Sequence, residues 1–197
     1  VIKVKEKKLS GRDILLLLLY LPGKTDEYNE PIEGRTRLTK MMFIFNEELS
    51  ERLNNLDQDS LPDFFAYDYG PFSKNLFDDL RFFMNIDFIQ EIEEDKNNLS
   101  EAEMGEYMYD INNQRGFEEN VDVLNIEPPS SVYYNLTEKG KEYVKSELIE
   151  LIDEQQKEFL IKFKRKINIL SLDAILEYVY KNYPKYASES KIKDKYL

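Results

Sequence analysis

The chain of 197 residues contains no cysteine and no histidine. That removes thiol chemistry, disulfides, Cys/His zinc sites and every catalytic scheme that needs an imidazole. Any chemistry left would rest on carboxylates, lysine, tyrosine or serine. Long apolar runs are missing too. The strongest, Ile14 to Leu21, is ended by Pro22-Gly23 and is far shorter than the roughly 20 residues of a membrane span. Lys3 to Lys8 resemble the charged start of a signal peptide, but no small-residue cleavage site follows, so a cytoplasmic protein is expected.

An apolar content of 42 % with 13 % aromatics is enough for a real core. At this length one domain is the default, burying roughly 70 % of its unfolded surface. The formal charge of −12 is unevenly placed. Residues 91–127 hold twelve acidic and two basic side chains, a net of −10, so the rest sums to −2. Residues 1–13 are +3, and Lys157 to Lys166 is +4. A near-neutral body therefore carries basic ends and one acidic insertion.

Ser10 is placed to cap a helix from Gly11 to about Leu21. A second helix, about Arg35 to Asn54, keeps Leu38, Met41, Met42, Phe45, Leu49 and Leu53 on one face. After Gly70-Pro71, Ser73 caps a third, in which Leu76, Phe77, Leu80, Phe83 and Met84 share a face and Asn85 suits a left-handed stop. Strands are expected near 86–92 and 132–136, the second leading into a long helix from Thr137 to about Asn168. Ser171 caps a last helix that closes at Tyr183-Pro184. Helix, strand, excursion, strand, helix is the order of a recognition helix and its wing. The expected fold is α+β and mostly helical: a winged helix-turn-helix-like unit with additional N- and C-terminal helices and a small antiparallel wing. Residues 1–197 form a single domain in this reading, with 95–131 an acidic insertion in the wing and 138–197 a C-terminal helical extension.

Three segments carry a family likeness. Gly34-Arg-Thr-Arg-Leu-Thr-Lys40, Tyr67-Asp-Tyr-Gly-Pro-Phe-Ser73 and Tyr134-Asn-Leu-Thr-Glu-Lys-Gly140 resemble the YwgA-like proteins of bacteria and archaea, distant relatives of the Panacea antitoxin superfamily. The resemblance implies a helical domain with a winged-helix-like unit and a regulatory or antitoxin-type role. It brings no catalytic residue, cofactor or metal.

Three groups are candidates for nucleic-acid contact. Lys74, Asn75 and Arg81 are expected on the outer face of the third helix, where a DNA reader places base- and phosphate-bonding side chains, although Asp78 and Asp79 there would repel phosphate. Arg35, Arg37 and Lys40 cluster at the start of the second helix, where cations oppose the helix dipole and so imply either an external partner, phosphate or an acidic protein segment, or intramolecular pairs with the acidic insertion. Lys162, Lys164, Arg165 and Lys166 are expected to project outward from a face kept by Phe159, Phe163 and Ile167. Two function classes follow: a DNA-binding transcriptional regulator or antitoxin-like protein, and a protein-interaction module of the same fold that binds no nucleic acid. The acidic 91–127 segment would engage a basic partner such as a toxin, or mask the basic patches. A homodimer would cover the apolar surface of the long helix after Thr137. A third reading, a metal-dependent nuclease, takes Pro62-Asp63 with Glu94-Asp95-Lys96. It ranks below the others because the first pair falls in a turn and the second opens an acidic run.

Overall fold

The structure, a computed structural model, describes residues 7–94 and 131–196. It is mostly helical α+β with small antiparallel sheets. Among the described residues no helix is long and apolar enough to cross a membrane.

The helix α1 (Gly11–Tyr20) is the centre of the core. Ser10 and Asp13 form a capping box at its start, and Ile14 to Tyr20 are all buried. A helix apolar on every side must be surrounded, and α1 is packed by strand, helix and turn alike. Each leucine so buried contributes roughly 1.5–3 kcal/mol relative to exposure.

Then come β1 (Ile32–Glu33) and α2 (Arg35–Ile44), which Gly34 introduces at φ 81. A π-turn at Phe45–Leu49 and a 3₁₀ turn at Ser50–Arg52 finish α2, so the second helix is regular over half its expected length. A hairpin follows, β2 (Phe65–Tyr67) and β3 (Gly70–Phe72), which the sequence reading did not foresee. It leads directly into α3 (Lys74–Asn85), where the Ser73 hydroxyl accepts the Leu76 N–H. The left-handed stop is Asp87 at φ 60, not Asn85, which is still helical.

β4 (Ile89–Glu94) pairs antiparallel with β5 (Ser131–Leu136), with Ile89 opposite Leu136 and Ile92 opposite Tyr133. β5 also pairs antiparallel with β1, giving the order β1-β5-β4. Val132, Tyr134 and Leu136 alternate inward, the period of a half-buried strand.

The long helix expected from Thr137 to about Asn168 is two helices. The first, α4 (Glu138–Tyr143), is capped by Thr137 and ends through a π-turn at Val144–Leu148 and a 3₁₀ turn at Ile149–Leu151. The second, α5 (Glu154–Ile169), starts afresh from a capping box of Asp153 and Gln156. α6 (Leu172–Asn182) and the short α7 (Pro184–Ala187) close the chain, and the hairpin packs against both. Val144, Leu160, Ile175 and Tyr180 lie in the same core as α1, so the residues after 138 are integral to it. The long helix whose apolar surface suggested a homodimer is thus divided, and Val144, Leu148, Leu160 and Ile167 of its halves pack inward, while Ile169 at the end of α5 stays exposed. At the other end, Leu9 makes a single parallel bridge with Leu56, while residues 1–6 of the basic arm lie outside the described residues.

Candidate functional site

The outward face of α3 is the site to which the sequence points most directly. Lys74 and Asn75 are exposed at its first turn and make no hydrogen bond or ion pair among the described residues. Further along, charges cancel. Arg81 pairs with Asp78 one turn before it. Asp79 receives Arg12 from α1 at 2.6 Å. Burial raises the Asp79 pKa first of all, and Arg12 opposes that rise. The same Arg12 guanidinium lies 5.3 Å from the ring centroid of Phe82, a cation–π distance. Phe82 is 45 % exposed, its ring packed edge-on against Phe83 at 5.4 Å. An exposed aromatic ring sits in this face, then, with two neutralised ion pairs beside it.

The second group is used inside the fold. Arg35 donates to the Tyr134 hydroxyl at 2.7 Å and pairs with Glu91 at 3.3 Å, tying α2 to β5 and β4. Arg37 donates to the Ile167 and Leu170 carbonyls at 2.6 and 2.7 Å, closing the C-terminal end of α5, where a cation favours the dipole. Lys40 is fully buried and donates to the Pro71 carbonyl at 3.0 Å. A phosphate cannot reach Lys40. The partners that the cluster required are other parts of this chain.

In the third group Lys164 does not project outward. It is fully buried and donates to the carbonyls of Leu19, Leu21 and Glu30, at 3.2, 2.6 and 2.7 Å. Three carbonyls meet the three N–H bonds of one ammonium and fasten the end of α1 to α5. Burial pushes its pKa down to about 7, against the raising effect of the Glu30 carboxylate. That carboxylate is itself buried, which acts to raise its pKa. Bonds from the Thr25 hydroxyl and amide, Asn168 and the Lys24 amide nevertheless hold it at about 2. Arg165 donates to the Gly23 carbonyl at 3.1 Å and pairs with Asp26. Lys162 pairs with Glu158 at 2.7 Å, and Lys166 is exposed without a partner among the described residues.

The three family-like segments meet one another. Arg35 of the first bonds Tyr134 of the third, and Lys40 of the first bonds Pro71 of the second. The glycines of the second and third are positions of close approach. At Gly70, φ is 88 and a Cβ would come within 2.6 Å of the Tyr180 ring. At Gly140, a Cβ would overlap the Phe88 carbonyl oxygen. These segments hold the scaffold together, and the candidate site lies beside them, on α3.

Of the nuclease letters, Asp63 is an exposed loop residue before β2 and Glu94 ends β4, while Asp95 and Lys96 lie outside the described residues. Among the described residues no three carboxylates gather where they could hold a metal. Apart from residues 91–94, which belong to β4, the 91–127 segment read as a partner-binding or masking insertion also lies outside them. No family model matches the chain, and no curated protein matches it significantly.

Proposed function

We propose that this chain is a non-enzymatic regulatory protein of winged-helix-like build that acts by binding another protein through the outer face of α3, in an antitoxin-like manner, and that it does not read DNA. Helix, strand, helix, helix, strand, strand, with the first strand beside the last, is the element order of a winged helix-turn-helix. The order α1, β1, α2, α3, β4, β5 and the sheet β1-β5-β4 support that build. The β2–β3 hairpin is an addition ahead of α3. The resemblance of the three segments to YwgA-like proteins points the same way and supplies the antitoxin-like part of the reading.

The observation that carries the choice of protein over DNA is Phe82, exposed beside the Arg12–Asp79 and Arg81–Asp78 pairs. A helix that follows a phosphate backbone needs surplus cations. An aromatic residue beside an arginine is instead what anchors a protein interface, where desolvated Tyr, Trp, Phe and Arg dominate and the charged rim contributes little.

DNA reading is the second interpretation, and one observation favours it. Lys74 and Asn75 are exposed at the N-terminal turn of α3, where a recognition helix contacts bases. A pull-down of fragmented genomic DNA at low and moderate salt, with wild type beside Lys74→Ala/Asn75→Ala, separates the two. The expected result is no sequence enrichment at either salt. A discrete sequence enriched by wild type and lost in the double variant would overturn the proposal.

A further inference from the structure

A second surface has no residue of α3 in its lining and is independent of the α3 face. The end of α2, α5 and α6 enclose an open cavity of about 320 Å³. That is the lower end of the roughly 300–1,000 Å³ of small-molecule sites. Its lining is predominantly apolar, with Ile44 and Leu49 from α2 and its π-turn, Phe163 and Ile167 from α5, and Ile175 from α6. Phe159, Phe163 and Ile167 follow one stripe of α5 and its C-cap Leu170 extends it, so the floor continues through about three turns.

Charge in the lining is mostly positive. Arg52, Lys162 and Lys166 line the cavity. Lys162 is matched by Glu158, but Arg52 and Lys166 have no carboxylate partner among the described residues. Arg52 instead lies 5.3 Å from the centroid of the Phe159 ring, which fixes its stem along the apolar floor and leaves its N–H bonds to be met. The one carboxylate in the lining, Glu48, accepts the hydroxyls of Tyr178 and Tyr183 at 2.7 and 2.8 Å. Its charge is thereby directed to the phenols. Glu48 and Leu49 sit in the π-turn, a helix widening that recurs at functional sites.

We propose that this cleft binds a small amphiphilic carboxylate, its apolar body on Ile44, Leu49, Phe163 and Ile167 and its carboxylate bonded by Arg52 and Lys166. An uncharged hydrophobe would leave the two cations unmatched, and a cationic one would meet repulsion. A dianion such as inorganic phosphate would leave the floor uncovered. The pairing at the mouth is exposed, so it discriminates by sign and weakens with salt, while affinity comes from the chain.

The test is a titration of the full chain with decanoate below its micelle concentration, read by calorimetry and by amide shifts. Octanoate, decylammonium and inorganic phosphate are run beside it. Decanoate binds, with shifts centred on residues 44–52, 159–170 and 175–178. Octanoate, two methylenes shorter, binds about 15-fold more weakly, since each methylene is worth roughly fourfold. Arg52→Ala/Lys166→Ala, which changes only exposed side chains, weakens decanoate about 10-fold or more and leaves the melting temperature in place. Absence of decanoate binding would overturn the proposal. So would shifts centred elsewhere, decylammonium or phosphate binding as tightly, or an unchanged affinity in the double variant.

Discussion

A cation in this chain is read correctly only with its neighbours on the helix. Lys164 belongs to a basic run, which on its own suggests a solvated face. Yet it stands four residues after Leu160 and three before Ile167, both buried, in the middle of the α5 stripe. That spacing was legible; the three carbonyl acceptors from residues 19–30 were not, because they come from more than 130 positions away. The consequence is measurable. The lysine pKa is 10.5 unfolded and about 7 in the fold, so folding releases a proton between those values. The unfolded state then binds more protons, and stability rises with pH through that window and is lowest below it. Groups with raised pKa values, such as Lys191, Lys195, Tyr178 and Tyr183, act with the opposite sign only above about pH 10. Unfolding free energies from urea titrations should therefore climb from about pH 7.5 to 9.5, approaching about 1.4 kcal/mol per pH unit at most. The climb should vanish in Lys164→Met. A flat wild-type profile, or the same climb in the variant, would contradict the account of this residue.

Elements were legible where the signal is local. Ser10, Ser73, Thr137 and Ser171 each accept the N–H bond expected of a cap. The break before α5 was written as well, in the Asp153–Gln156 capping box, but continuous apolar spacing across Leu151, Ile152 and Phe159 concealed it. β1 and the β2–β3 hairpin were not legible, since two- and three-residue strands have no period to detect and depend on their partners. The Leu136-Thr-Glu-Lys-Gly140 segment shows why a motif can be structural. Thr137 accepts the Gly140 N–H and donates to the Asp87 carbonyl, and Gly140 then fits beneath the Phe88 carbonyl. In an open helix, glycine to alanine stabilises by up to about 1 kcal/mol. Gly140→Ala should do the reverse, costing about 1–3 kcal/mol through overlap with the start of β4. For a chain of this size that lowers the melting temperature by about 2–4 °C per kcal/mol. A variant more stable than wild type would show that the close approach is not real.

At the scale of the molecule, charge and function were least legible together. The basic clusters outside 91–127 resembled nucleic-acid patches because a sequence does not say which cations face inward. Lys40 and Lys164 are core residues, and Arg35, Arg37 and Arg165 join distant segments. What stays outward is a near-neutral α3 face with Phe82 and, elsewhere, the cleft with Arg52 and Lys166. In the proposed reading, the winged-helix-like build serves as a frame for protein contact. A photoreactive phenylalanine analogue at position 82, irradiated in the protein's own cells, tests this most directly. The adduct should be removed by protease digestion of the partner, resist nuclease, and be lost when Arg12 is replaced by Glu. An adduct that nuclease removes would place nucleic acid on α3 and contradict the account.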